Sequence, residues 1–139
     1  MKTFLIFNSL LLGFCLLFSS PIPKTFEVNE EFHRPVVHRL VVKKINEEWR
    51  VVFPDDENQS DIIANKGDRI RWDVEGSAVT LSFPDPKLFG NATFEIKDGR
   101  NRTLPVLRTA TDGTYEYEVY IQVDGVYARG QSPPRIIIR

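Results

Sequence analysis

From Val36 to Arg139, short runs of alternating apolar and polar residues are separated by clusters of Asp, Asn, Gly and Pro. In Arg69–Val74 the apolar set is Ile70, Trp72 and Val74, with Arg69, Arg71 and Asp73 between them. Ala78–Phe83 repeats the pattern with Val79, Leu81 and Phe83, and Thr114–Val123 with Tyr115, Tyr117, Val119, Ile121 and Val123. A period of two sends neighbouring side chains to opposite faces of an extended strand, so each apolar set predicts a core-facing side. Tyr120 alone breaks the polar face of the last of these runs. Val37–Lys43, Trp49–Phe53, Thr93–Ile96, Arg102–Arg108 and Arg135–Arg139 are further β-like runs. Turn chemistry divides them, as in Asn65-Lys66-Gly67-Asp68, Glu75-Gly76-Ser77, Asp98-Gly99-Arg100-Asn101 and Asp112-Gly113. No stretch keeps a helical period. Regular strands and turns of this kind predict an all-β domain, a Greek-key β-sandwich of about seven or eight strands.

The first residues follow a different pattern. Met1 and Lys2 are followed by a nearly continuous apolar run from Phe4 to Phe18, then Ser19, Ser20 and Pro21. A basic start, an apolar stretch and small residues after it make a secretory signal peptide over 1–20. The run falls short of the ~20 residues of a membrane span, and an uncleaved anchor is the alternative. Leu12-Gly13-Phe14-Cys15 loosely resembles a lipoprotein box, against which stand bulky Phe14 and the apolar residues after Cys15. Residues 21–35, with prolines and mixed charge, read as a flexible leader, and 36–139 as the folded domain. Cys15 is the only cysteine, so the exported domain has no disulfide and depends on core burial and strand pairing. That absence points to a periplasmic or cell-envelope setting. Three Asn-x-Ser/Thr sequons, at Asn58, Asn91 and Asn101, point instead to eukaryotic secretion with glycosylation in loops or at strand edges. The formal net charge of −1 lacks the basic excess of a nucleic-acid binder.

Three segments, in order, resemble the cupredoxin pattern. Lys66-Gly67-Asp68-Arg69-Ile70-Arg71-Trp72 is similar to the strand that leads to the first copper ligand in that family. Gly113-Thr114-Tyr115-Glu116-Tyr117 resembles the opening of its penultimate strand, and Arg135-Ile136-Ile137-Ile138-Arg139 its closing strand. The likeness spans Val36 to Arg139 and implies a cupredoxin-like, plastocyanin-type sandwich. A blue-copper centre takes two imidazoles, one thiolate and a weak axial methionine. By the resemblance, the first His position lies four residues before Phe83 and carries Val79. The Cys position carries Val119 and the second His position Gln122. No methionine follows Met1 to serve as axial ligand. The resemblance therefore implies the fold without its copper, and no cofactor.

Little else carries chemistry. His33 and His38 are the only histidines, and a separation of five puts them on opposite faces of an extended chain. They read as solvated side chains, with a copper-capturing leader as the alternative function. Asp55, Asp56, Glu57, Glu116 and Glu118 fall in turns or on a polar face, and Ser77 and Ser82 have no histidine placed to activate them. The domain is therefore read as non-enzymatic. Two loops, Pro84–Gly90 and Val126–Pro134, hold residue types common at protein contacts: Leu88, Phe89, Tyr127 and Arg129. Leu88 and Phe89 equally suit capping of the open end of a sandwich. The expectation is an exported, copper-free interaction module, with an unknown protein or envelope glycan as partner.

Overall fold

A computed structural model of the chain describes residues 33–130 and 133–139. The signal-peptide expectation, the first part of the leader, the lipoprotein-box cysteine, Gln131 and Ser132 lie outside the described residues. No helix among the described residues is long and apolar enough to cross a membrane.

Eleven strands follow in order: β1 (Val37–Ile45), β2 (Glu48–Val52), β3 (Ile62–Ala64), β4 (Arg69–Val74), β5 (Val79–Ser82) and β6 (Thr93–Ile96), then β7 (Asn101–Pro105), β8 (Gly113–Glu116), β9 (Glu118–Ile121), β10 (Val126–Tyr127) and β11 (Arg135–Ile138). They form two four-stranded sheets, β2-β1-β4-β7 and β10-β9-β5-β6, and a three-stranded sheet, β3-β11-β8. The all-β sandwich class expected from the alternation holds. The strand count exceeds seven or eight for two physical reasons. β3 and β10 are too short for their alternation to register, and the run Thr114–Val123 breaks at Tyr117, so that β8 pairs with β11 while β9 pairs with β5. Val123, placed by alternation in the core, is 65% exposed because it has already left β9 for the turn.

The burial patterns of β4 and β5 reproduce the alternation, with Ile70, Trp72 and Val74 and then Val79 and Leu81 inside. Leu40 and Val42 of β1 join them from the first sheet, and Val119 and Ile121 of β9 from the second. At the centre Trp72 lies edge-on to Phe83, Phe89 and Tyr117, with ring centroids 6.0, 5.8 and 5.9 Å away. The Trp72 indole N–H donates to the Tyr117 hydroxyl at 3.2 Å. Burial pushes the Tyr117 hydroxyl well above the usual phenol range, so it stays neutral and available to that indole. β1 and β2 are joined by Asn46 and Glu47, both at positive φ (49° and 63°). This is the two-residue hairpin geometry whose backbone twist matches the flanking strands.

Two stability predictions follow from these features. Tyr117→Phe removes the acceptor of a buried donor while leaving the ring, and should cost about 1–3 kcal/mol in urea denaturation. A loss below a few tenths would show that the indole finds another acceptor. Glu47→Gly relieves a left-handed conformation that a side chain disfavours, and should stabilise the hairpin by about 0.5–1 kcal/mol. A lower midpoint in the same assay would contradict it.

Candidate functional site

The candidate ligand positions are the first to place. Val79 and Val119 are both fully buried on adjacent strands, Val79 opposite Ile121 and Val119 opposite Leu81. They belong to the same core cluster as Trp72 and Phe83. Gln122 goes the other way. Its side chain is exposed and its amide reaches the Thr80 hydroxyl at 3.4 Å, on the outer face of β5. The structure therefore brings the two valines into one hydrocarbon interior and leaves Gln122 apart from them. Among the described residues no group of three His, Cys, Asp or Glu is arranged to hold a metal ion.

The two histidines correct the sequence expectation. His33 and His38 are not two independently solvated side chains. His33 Nε2 lies 2.9 Å from one oxygen of Asp68 and His38 Nε2 lies 3.1 Å from the other. The opposite-faces argument fails because residues 33–36 precede β1 and are not strand, so His33 turns back towards β4. Asp68 closes the turn before β4 and is itself buried, with 1% of its surface exposed. Its carboxylate also accepts the backbone N–H groups of Val36 at 3.0 Å and Asn65 at 2.8 Å. Burial alone would raise this carboxyl. The two backbone donors and the two imidazoles outweigh it and hold the group well below the usual carboxylate range. One residue thus ties the entering chain, the 65–68 turn and the first turn-side position of β1 together. The sequence pattern showed Asp68 only as a turn residue, since nothing local marks a carboxylate as the acceptor for groups thirty or more positions away.

The loop residues separate into two groups. Leu88 and Phe89 are buried, with Phe89 edge-on to Trp72, Phe83 and Phe94. Gly90 N–H donates to the Pro86 carbonyl and Leu107 N–H to the Leu88 carbonyl, which folds this loop back over the core. They cap the sandwich and are not available to a partner, which corrects their place among the interaction candidates. Tyr127 and Arg129 remain accessible. Tyr127 is 59% exposed and lies edge-on to Tyr120 at 5.4 Å. Arg129 pairs with Glu48 at 3.2 Å. Its backbone N–H donates to the Trp49 carbonyl, and its carbonyl accepts from Val51, so this segment closes the seam between β2 and the second sheet. An open groove of about 910 Å³ runs there, lined by Glu48, Arg50, Val126, Tyr127, Ala128, Arg129, Gly130 and Pro133. Arg50 was not singled out by the sequence, because an arginine on a polar strand face carries no local signal, whereas Tyr120 stands out there only as a break in a polar face. Asn58, Asn91 and Asn101 are all exposed.

No family model matches the sequence, and no curated protein is similar to it in sequence. The fold is similar to solved cupredoxin structures. An oxidised mutant of amicyanin overlays with a TM-score of 0.44 at 13% identity, covering 76% of this chain and 82% of that one. A reduced Cu(I) form of another amicyanin mutant gives 0.42 at 13% identity, with 73% and 82% covered. Fet3p, a multicopper oxidase that functions in iron import, gives 0.46 at 18% identity, and the match spans 76% of this chain but 23% of that protein.

The Asp68 knot yields a pH prediction. A carboxyl held below its unfolded value adds stability that is complete above about 3.9, the unfolded value, and is lost as pH falls through the lowered folded value. Asp68→Asn should therefore be less stable than the native chain by about 2 kcal/mol or more near neutral pH. The gap should narrow as the pH is lowered below about 3.9. Urea titrations of both proteins across that range check this, and a gap independent of pH would show that the carboxylate charge is not what matters.

Proposed function

We propose that the chain is an exported, non-catalytic cupredoxin-like module that acts by binding a protein or an envelope glycan, without a copper site. The observation that carries this reading is the interior at Val79 and Val119, the positions that the resemblance assigns to the first histidine and the cysteine. Both are fully buried among apolar neighbours. A buried valine contributes about 1.5–3 kcal/mol of apolar burial, whereas unmetallated ligands there would leave polar groups without partners. The position assigned to the second histidine carries a glutamine on the outer face, away from both. Electron transfer through a type 1 copper centre needs a thiolate, and Cys15 is the only sulfur besides Met1.

The binding half of the reading draws on the seam, where Tyr127, Tyr120 and Val126 leave apolar surface in water beside Arg129. Aromatic and arginine side chains are the types that supply most of the energy at contact surfaces. A second reading, copper capture by His33 and His38, is favoured by one observation only, their convergence on Asp68.

Metal analysis and visible absorption of the purified full chain, with copper titrated in, separate the two. The expected result is no stoichiometric copper, no intense blue or green band and no binding tighter than micromolar. A stoichiometric coloured species would overturn the copper-free reading, and a tight colourless site lost in His38→Ala would establish the second. Cross-linking in the native source tests the binding role, where recovery as a free monomer at every concentration would sink it.

A further inference from the structure

The seam holds an arrangement that neither the core nor the turns explain. Lys43 of β1 stands opposite Arg50 of β2 in their antiparallel register, and Arg50 stands opposite Arg129 in an isolated parallel bridge. Three cations thus lie side by side across three neighbouring segments, where like charges directly opposite one another are destabilising. The outer two have counterions. Lys43 donates to Glu57 at 2.8 Å, and Arg129 pairs with Glu48 at 3.2 Å. Arg50, between them, forms no ion pair among the described residues, and its Nε is buried without a hydrogen-bond partner there. A guanidinium beside two cations and without an ion-pair partner among the described residues favours an incoming anion at its outer nitrogens. Arg50 lines the seam groove together with Val126 and Tyr127.

We propose that this groove binds a carboxylated sugar, the uronic acid residue of an acidic polysaccharide, with its carboxylate on Arg50 and its ring against Tyr127. The planar guanidinium fork matches a carboxylate, and an exposed tyrosine offers a flat apolar face to the C–H side of a pyranose. A polyphosphate chain fits less well, because two of the three cations are already neutralised and only Arg50 is left for an incoming anion. An added peptide strand also fits less well. The backbone groups it would need at Arg129 and Val51 are already bonded across the seam, so recognition there falls to side chains. The proposal rests on the binding-module reading and deepens it by naming the ligand.

Isothermal titration of the full chain with trigalacturonic acid, its carboxyl-reduced neutral counterpart and a glutamate-rich peptide tests it, using the native protein, Arg50→Gln and Tyr127→Ala. The acidic trisaccharide should bind saturably and the neutral one at least tenfold more weakly. Each substitution should lower affinity for the acid at least tenfold. Thermal unfolding of Arg50→Gln should be unchanged or raised, since the substitution relieves the like-charge row; this separates a lost ligand contact from a lost fold. No saturable binding of the acidic trisaccharide, equal binding of the neutral one, or undiminished binding by Arg50→Gln would overturn the proposal. Arg50-dependent binding of the peptide alone would also overturn the sugar assignment while leaving the binding-module reading intact, which falls only if the cross-linking finds no partner.

Discussion

The hydrogen bond from the Trp72 indole to the Tyr117 hydroxyl is the contact on which the rest of the sandwich depends. Trp72 belongs to the first sheet, and Tyr117 stands at the break between β8 and β9. Its backbone N–H donates to the Pro134 carbonyl, on the side of the third sheet, and two residues later Val119 is paired in the second. A tryptophan with none of its surface exposed must find an acceptor for its N–H, and the Tyr117 hydroxyl supplies it from a ring that packs in the same apolar cluster. Phe83 stacks on Tyr117 at 5.1 Å, and Phe89 meets both Trp72 and Phe83 edge-on. The position of one strand break and the closure of the open end by Leu88 and Phe89 therefore answer to the same aromatic cluster.

Asp68 plays the corresponding part at the entry to the domain. β1 pairs parallel with β4, a pairing that no hairpin can bring about because a tight turn reverses the chain and makes antiparallel neighbours. Something must hold the start of β1 beside the start of β4. The buried carboxylate accepts from Val36 ahead of β1, from the His38 ring within it and from Asn65 in the turn before β4. Arg69 N–H, donating to the Val36 carbonyl, completes the junction. A carboxylate with several donors holds more tightly in a buried setting than a neutral acceptor would, which explains an ionised group at a place where burial works against the charge.

These two polar devices, with the buried hydroxyls of Ser60 and Ser77, sit within an interior that is otherwise hydrocarbon, and the functional reading follows from that contrast. Val79 and Val119, the positions that the resemblance assigns to the first histidine and the cysteine, are fully buried, and Leu88 and Phe89 of the 84–90 loop turn inward. Two buried polar atoms have no hydrogen-bond partner among the described residues, Asp61 Oδ1 and Arg50 Nε, and the second lies at the seam, where Arg50 has two cations beside it and no counterion among those residues.

The local pattern of residues was enough to establish the all-β class, most strand positions and the inward-facing sets of β4 and β5, because a two-residue period is a property of each strand alone. It also showed that Val79 and Val119 point inward. It could not place Val123, since alternation does not say where a strand ends, nor decide between capping and contact for Leu88 and Phe89. The meeting of His33 and His38 on Asp68, the break at Tyr117 and the row formed by Lys43, Arg50 and Arg129 were decided only by tertiary structure. Each depends on the register between segments far apart in the chain, and that register is set by how the sheets pack on their shared core, not by any residue's immediate neighbours.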